Sequence, residues 1–360
     1  MKILHVITSL YTGGAETLVV NLMPRLAALG HEVGLVVFNG EQTPLMDRLE
    51  KECPECRIYR LGKSFYNPWY IVKLIRIMQK YDIIHTHNSS PQLFVAIANV
   101  FYRKRLVTTE HSTNNRKREK GGFLRLVDRW MYQQYDNVVC ISEIAESKLR
   151  EYLRTGTYNI NTIHNGVDVE RFHSANPIVE LSSNKFVVVM VAGFREAKDQ
   201  DTLVRAMARL PQKEYELWLV GDGVRRGILE NLVNKHNLPG IVKFLGLRSD
   251  VPNILKTANM VVMSSHWEGL SLSNIEGMSL GKPFVASDVN GLREVTDGYG
   301  ILFPHGDDKA LAEIIQQLHD DQEYYQQVAH KCYQRAQQFD ISKTVEGYND
   351  VYIKLVSNEV

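Results

Sequence analysis

Ser265-His-Trp-Glu-Gly-Leu-Ser-Leu-Ser-Asn-Ile-Glu-Gly-Met-Ser-Leu-Gly-Lys-Pro283 passes from an extended stretch through a turn of small residues into a helix. In such a turn the backbone N–H groups of Gly269, Leu270, Ser271, Leu272 and Ser273 can point at a diphosphate, and the helix that follows adds the positive end of its dipole. Glu268 and Glu276, eight positions apart, flank the turn with acceptors for sugar or ribose hydroxyls. That arrangement suits a bound sugar nucleotide. Ser273-Asn-Ile-Glu276 also fits a capping box, in which Ser273 caps the helix and Glu276 reaches back to it. The box does not account for Glu268, or for an apolar strand ending in a polar turn between two acids.

Working outward, the chain alternates strand and helix patterns. Lys2–Thr8 reads as a strand, Ala15–Leu29 as a helix stopped by Gly30, and Glu32–Phe38 as the next strand. Helices then read at Trp69–Gln79, Leu93–Phe101 and Phe123–Gln134, and strands at Ile83–His85, Leu106–Thr109 and Asn137–Ile141. After Pro177 the pattern restarts with strands at Lys185–Val191, Tyr215–Val220, Val242–Phe244 and Val261–Ser264, and helices at Thr202–Ala208 and Arg225–His236. Such repetition implies parallel sheets covered by helices on both faces. A chain of 360 residues is too long for one ordinary core. The expected class is α/β, with two doubly wound Rossmann-like domains facing across a cleft that is the natural ligand site. The boundary falls at Asn165-Gly-Val-Asp168, giving domains 1–168 and 169–342. No GxGxxG follows the first strand, which argues against a nicotinamide dehydrogenase.

The composition, 44% hydrophobic and 23% charged, is that of a soluble globular protein. No window approaches the ~20 apolar residues of a membrane span, and the opening Lys2-Ile-Leu-His-Val-Ile7 is too short for a signal-peptide core. The expected location is the cytoplasm, with peripheral attachment to the inner face of the plasma membrane as an option. Residues 1–170 hold 22 Lys/Arg against 17 Asp/Glu, whereas the remainder holds 20 against 24. The basic excess concentrates in Arg116-Lys-Arg-Glu-Lys120 and the amphipathic segment from Phe123 to Tyr132. The stretch Arg116–Trp130 could lie on an anionic membrane surface, or could be a buried helix beside a solvated basic loop. Nucleic acid is a poorer partner, because the basic run lacks interleaved aromatics. Four cysteines, at 53, 56, 140 and 332, form no disulfide framework, and Cys53-Pro-Glu-Cys56 reads as loop.

Nine short motifs occur together: Gly13-Gly-Ala-Glu16, Asp82-Ile-Ile-His-Thr-His87, Thr109-Glu-His111, Ile141-Ser-Glu143, His164-Asn-Gly-Val-Asp168, Lys198-Asp199, Gly221-Asp-Gly223, the double-glutamate run, and Gly291-Leu-Arg-Glu294. In these, and in their order along nearly the whole length, the chain resembles the retaining nucleotide-sugar glycosyltransferases of family four, which have the two-domain GT-B fold. The resemblance implies that Glu276 binds the ribose hydroxyls and Glu268 a sugar hydroxyl, and that His111 contacts the transferred sugar. It implies that residues 343–360 form a helix crossing back onto the first domain. Lys198 is the best candidate for a cation neutralising the leaving diphosphate. Most relatives carry an arginine five residues before this lysine. This chain has Gly193 there and Arg195 two positions later, so Arg195 either takes over that role or is a solvated loop charge. Gly13 and Gly14 let backbone approach a phosphate or sugar, or simply make a tight turn. Gly221, Leu247 and Arg248 follow strand ends where the base could lie. His85 and His87 read as structural, Glu16 as a first-turn partner of the helix dipole, and Asp199-Gln-Asp201 as caps rather than a metal-binding DxD.

The implied reaction is front-face transfer of a hexose or N-acetylhexosamine with retention, in which the diphosphate itself takes the acceptor's proton. No cofactor and no metal are expected, since fixed positive groups perform that task. UDP is the expected nucleotide, and the acceptor a glycan or lipid-linked glycan of cell-surface polysaccharide assembly, such as lipopolysaccharide or capsule. A sugar-nucleotide epimerase of the same fold and a non-catalytic sugar-nucleotide-binding subunit are the alternatives.

Overall fold

The computed structural model describes residues 1–11, 13–111, 123–154, 158–268 and 272–357. The chain divides into two compact units, Met1–Gly166 with Ile341–Val360, and Val167–Asp340.

The first unit is built on seven parallel strands: β1 (Lys2–Ile7), β2 (Glu32–Asn39), β3 (Arg57–Gly62), β4 (Ile83–His87), β5 (Arg105–Glu110), β6 (Asn137–Cys140) and β7 (Ile160–Thr162). Their order across the sheet is β3-β2-β1-β4-β5-β6-β7. β1 shows why a parallel sheet forms here: Ile3, Leu4, Val6 and Ile7 are all fully buried, so both faces must be covered. The period-2 alternation divides them. Ile3 and Ile7 join the core under the helices Gly14–Ala28 and Ile341–Ser357, while Leu4 and Val6 join the opposite core with Tyr70, Leu74 and Val95.

His5, His85 and His87 fall on the same face as Ile3, Ile7 and Ile83, and all three are fully buried. The helix Ile341–Ser357 supplies polar partners there. Tyr352 Oη lies 2.6 Å from His85 Nδ1, and Tyr348 Oη lies 2.9 Å from Thr109 Oγ1, which in turn meets His85 Nε2 at 2.8 Å.

The second unit has six parallel strands: β8 (Phe186–Val191), β9 (Tyr215–Val220), β10 (Val242–Gly246), β11 (Met260–Met263), β12 (Phe284–Ser287) and β13 (Ile301–Phe303), in the order β10-β9-β8-β11-β12-β13. In each sheet the winding reverses once. The chain steps outward from β1 to β3 and returns to the other side of β1 as β4, and it steps from β8 to β10 and returns beside β8 as β11. These reversals open a crevice at the C-terminal edge of each sheet, between β1 and β4 and between β8 and β11.

One feature differs from the sequence reading. Cys53 and Cys56 are joined in a disulfide, their Cα atoms 5.3 Å apart. The turn that closes the helix Pro44–Glu52, with Cys56 N donating to Cys53 O at 3.0 Å, brings the two side chains together. The helix Phe123–Gln133 forms, and its arginines serve the fold, as the second of the two readings of this stretch has it. Arg129 Nη2 donates to the carbonyls of Tyr152 and Leu153 at the end of the helix Glu143–Leu153, at 3.3 and 2.9 Å, and the Arg125 guanidinium lies over the Tyr152 ring. The basic run 116–120 lies outside the described residues.

Candidate functional site

In the second unit the crevice between β8 and β11 is stitched by the loops that leave these two strands. His266 N donates to Ala197 O at 2.8 Å, and Ser264 Oγ donates to Asp199 O at 2.7 Å. Across this seam Lys198 Nζ forms an ion pair with Glu268 Oε1, which also accepts from Ser265 Oγ at 2.8 Å. Both side chains are partly shielded, at 25% and 12% exposure, so the pair sits in a lowered dielectric without being sealed off. The sequence reading gave the two residues separate ligand contacts. The structure makes them each other's partner.

Arg195 precedes the 3-10 turn Glu196–Lys198 and is exposed. Its Nε lies 3.8 Å from where a Cβ at Gly193 would stand, so the arginine side chain covers the position at which relatives are expected to carry one. Gly221 and Gly223 have a packing reason of their own. A Cβ at Gly221 would fall 2.2 Å from Ala192 O, and one at Gly223 would fall 2.5 Å from Phe194 O, because the loops after β8 and β9 run against each other. Gly221 also holds φ +134°, a conformation that only glycine adopts readily. Leu247 is exposed beyond β10. Arg248 is committed to its own loop through a bidentate contact with Asp250, at 2.8 and 2.6 Å.

The helix after β11 spans Leu272–Met278. Ser273 is therefore inside the helix, and a box with Ser273 as the cap does not describe it. Glu276 is half-buried on this helix. Gly269, Leu270 and Ser271 lie outside the described residues.

Asp199 caps the helix Gln200–Met207, accepting from Thr202 N at 3.2 Å and Thr202 Oγ1 at 2.6 Å, while Asp201 is held by both contacts of Arg225 Nη2 at 2.8 Å. The DxD-like pair is thus spent on a cap and an ion pair. Sequence reading passed over His266 and His305, whose rings touch. With Asp199 they bring three ligand-type atoms within 4.8 Å of one another, a group that could hold a cation. The ring nitrogens of His5, His85 and His87 also lie within 4.8 Å of one another, but His5 Nδ1 and His87 Nε2 face each other and both His85 nitrogens meet Tyr352 and Thr109, so these three form a hydrogen-bonded group rather than a metal site.

In the first unit, Gly13 and Gly14 begin the helix after β1. Gly13 is the N-cap with no side-chain cap, and a Cβ at Gly14 would meet nothing within 4 Å. A Cβ at Gly13 would fall 2.3 Å from Glu16 Oε2, so Gly13 leaves room for that carboxylate, whereas Gly14 has no such neighbour. Glu16 is in the first turn as expected, and burial raises its carboxyl pKa. His111 follows β5 and is half-buried. Its Nε2 lies 3.1 Å from His87 Nδ1, and His87 Nε2 lies 3.1 Å from His5 Nδ1. Burial depresses all four histidines: His5 to about 3, His111 to about 4, and His85 and His87 well below the usual range, the last two also through neighbouring imidazoles. His5 was missed in the sequence because a lone histidine inside a strand carries no spacing signal. Only the β1–β4 register, which sets His5 beside His85, brings it in.

Two doubly wound parallel sheets in series are the architecture of GT-B glycosyltransferases. The structure of Anabaena HepE in complex with UDP superposes with a TM-score of 0.80 at 22% identity, over 98% of this chain and all of that one. Residues 12–171 match the family model for Glycosyltransferase Family 4, and residues 174–338 match that for Glycosyl transferases group 1. The chain belongs to this family of glycosyltransferases. It is 25% identical to the N-acetyl-alpha-D-glucosaminyl L-malate synthase of Bacillus anthracis, over 96% of this chain and 95% of the relative. It is 27% identical to the UDP-Gal:alpha-D-GlcNAc-diphosphoundecaprenol alpha-1,3-galactosyltransferase of Escherichia coli, over 89% and 88% of the two chains.

Proposed function

We propose that the protein moves a hexose or N-acetylhexosamine from a nucleotide sugar, UDP-linked by preference, to a glycan or lipid-linked acceptor, with retention of configuration and without a metal. The observation that carries this reading is the Lys198–Glu268 ion pair at the β8–β11 reversal. A diphosphate and a sugar arriving together exchange that one pair for two, ammonium to phosphate and carboxylate to sugar hydroxyl. Neither charge is then left alone when the donor is absent, and both are used when it is present. Arg195, lying over Gly193, adds a second cation for the leaving diphosphate. Glu276, one turn into the helix Leu272–Met278, takes the ribose hydroxyls, and the amides of residues 269–273 take the phosphates.

The retaining step needs no protein nucleophile. The acceptor oxygen attacks the anomeric carbon on the face from which the diphosphate departs, and its proton passes to the departing phosphate oxygen. Positive groups fixed beforehand lower the cost of that developing charge. In the first unit the space left at Gly14 suits close approach of a ligand to backbone, and His111 takes a hydroxyl of the transferred sugar. The Escherichia coli relative is named for transfer to a diphosphoundecaprenol-linked sugar, which supports a lipid-linked acceptor here. Among the described residues no helix is long and apolar enough to cross a membrane. Contact with a lipid-borne acceptor would therefore fall to exposed aromatics such as Trp69 and Tyr66, together with the basic run 116–120.

The test is a panel of UDP-, GDP- and ADP-sugars, read by calorimetric titration and by slow hydrolysis to free nucleotide, with and without EDTA. Micromolar binding of a UDP-sugar with turnover that survives EDTA is the expected result. Turnover abolished by EDTA and restored by a divalent cation would replace the metal-free mechanism and direct attention to Asp199, His266 and His305.

A further inference from the structure

Three imidazoles run in a line through the first unit, His5 to His87 to His111, with successive ring nitrogens 3.1 Å apart. At each end one nitrogen has no hydrogen-bond partner among the described residues: Nε2 of His5 and Nδ1 of His111. Because burial keeps the rings neutral, each carries one proton, and two N–H···N bonds between three rings can be made in only two ways. In the first, every Nδ1 is protonated: His5 donates to His87, His87 donates to His111, and His111 has an N–H left over at Nδ1. In the second, every Nε2 is protonated, the bonds run the other way, and the spare N–H is on His5. A mixed register would set two protons or two lone pairs face to face.

The two registers are not equivalent. His5 is fully buried, and a proton on its Nε2 would meet no acceptor. The Nδ1 of His111 is itself shielded, but the residue is half-buried directly after β5, at the C-terminal edge of the sheet, whereas His5 lies inside β1, so His111 is the end of the line nearer a ligand at that edge. The first register is therefore favoured, and it leaves His111 as a donor. We propose that His5 and His87 are positioning residues which lock the tautomer of His111, so that it offers Nδ1–H to an oxygen of the transferred sugar. The neighbouring His85 stays out of the line, since both its nitrogens are taken by Tyr352 and Thr109. The sugar contact rests on the role proposed for His111 above. The tautomer lock does not.

Long-range proton–nitrogen NMR of the full chain with nitrogen-15 histidine reads the tautomer of each ring. The expected result for the unaltered protein is Nδ1–H on His5, His87 and His111 alike. His5→Phe removes the end of the line and should release His111 to exchange between tautomers, whereas His5→Asn, whose amide can still donate near the old Nδ1 position, should restore the lock. Nε2–H on His111 in the unaltered protein, or one unchanged His111 tautomer in all three proteins, overturns the proposal. The unaltered protein decides alone if His5→Phe does not fold. A separate variant, His111→Phe, tests the underlying role by hydrolysis across the nucleotide-sugar panel. Full turnover there removes the sugar contact while leaving the measured register standing.

Discussion

Acid should weaken this protein in a window where most proteins are indifferent. His5, with its pKa depressed to about 3, and His111, depressed to about 4, are neutral in the folded state. In the unfolded chain both return to the ordinary value of 6.5. Above that value both states are neutral and nothing is lost. As pH falls below it the unfolded chain binds protons that the folded chain refuses, so stability drops until the folded pKa is reached. At about 1.4 kcal/mol per pH unit, each of these two histidines costs roughly 2 kcal/mol by pH 5, about 4 together. His85 and His87, lowered further, act in the same direction. Against a domain stability of roughly 5–15 kcal/mol, that is a large share. Carboxylates held low by partners, such as Glu32, Glu143 and Asp250, lose their contribution only at more acid pH, whereas Glu16, whose carboxyl pKa is raised by burial, acts against the histidines by gaining stability as pH falls. Urea midpoints by circular dichroism at pH 7.5, 6.5, 5.5 and 5.0 should fall steadily below 6.5, and His5→Leu should make the fall shallower. A midpoint constant from 7.5 to 5.0 would refute the claim that these imidazoles are buried and neutral.

Lys198→Ala should lower donor hydrolysis by at least ~100-fold, the scale of a lost charge-stabilising donor, and a near-normal rate would take it out of the site. Glu276→Ala should weaken nucleotide binding in calorimetry at little cost in melting temperature; unchanged affinity with lost stability would make it a structural residue instead. Gly221→Ala should destabilise by about 2 kcal/mol or more, since it combines φ +134° with a Cβ 2.2 Å from Ala192 O, and an unshifted melting temperature would contradict that close approach. Replacing Arg116, Lys117, Arg118 and Lys120 together should reduce sedimentation with anionic liposomes, whereas equal sedimentation would leave the membrane surface without its basic anchor.

The parallel architecture was legible because fully buried strands write themselves as unbroken apolar runs, as in Phe186–Val191, and because each is followed by a helix-period segment. What escaped was written more faintly. The helix Gln322–Gln337 buries only Val328, Ala329, Cys332 and Ala336, a sparse stripe of small residues in a glutamine-rich stretch. The helix Pro44–Glu52 buries just Met46 and Leu49. At the candidate site, motif spacing could nominate Lys198 and Glu268 singly. It could not pair them, since seventy positions separate residues that meet only when β11 returns beside β8. The sequence puts Gly221-Asp-Gly223 after a strand end where a base could lie, and the structure adds a packing reason for both glycines that the sequence does not carry, the close approach of the loop after β8.

The return of Ile341–Ser357 to the first unit has a bearing on synthesis. The face of the first sheet that holds His5, His85 and His87 is roofed partly by Tyr348 and Tyr352, which leave the ribosome after the whole of Val167–Asp340. At about 5–20 residues per second, that face waits on the order of 10–35 s for its cover. The first half to be made is thus the last to be finished, and a nascent chain holds an unroofed sheet through that interval.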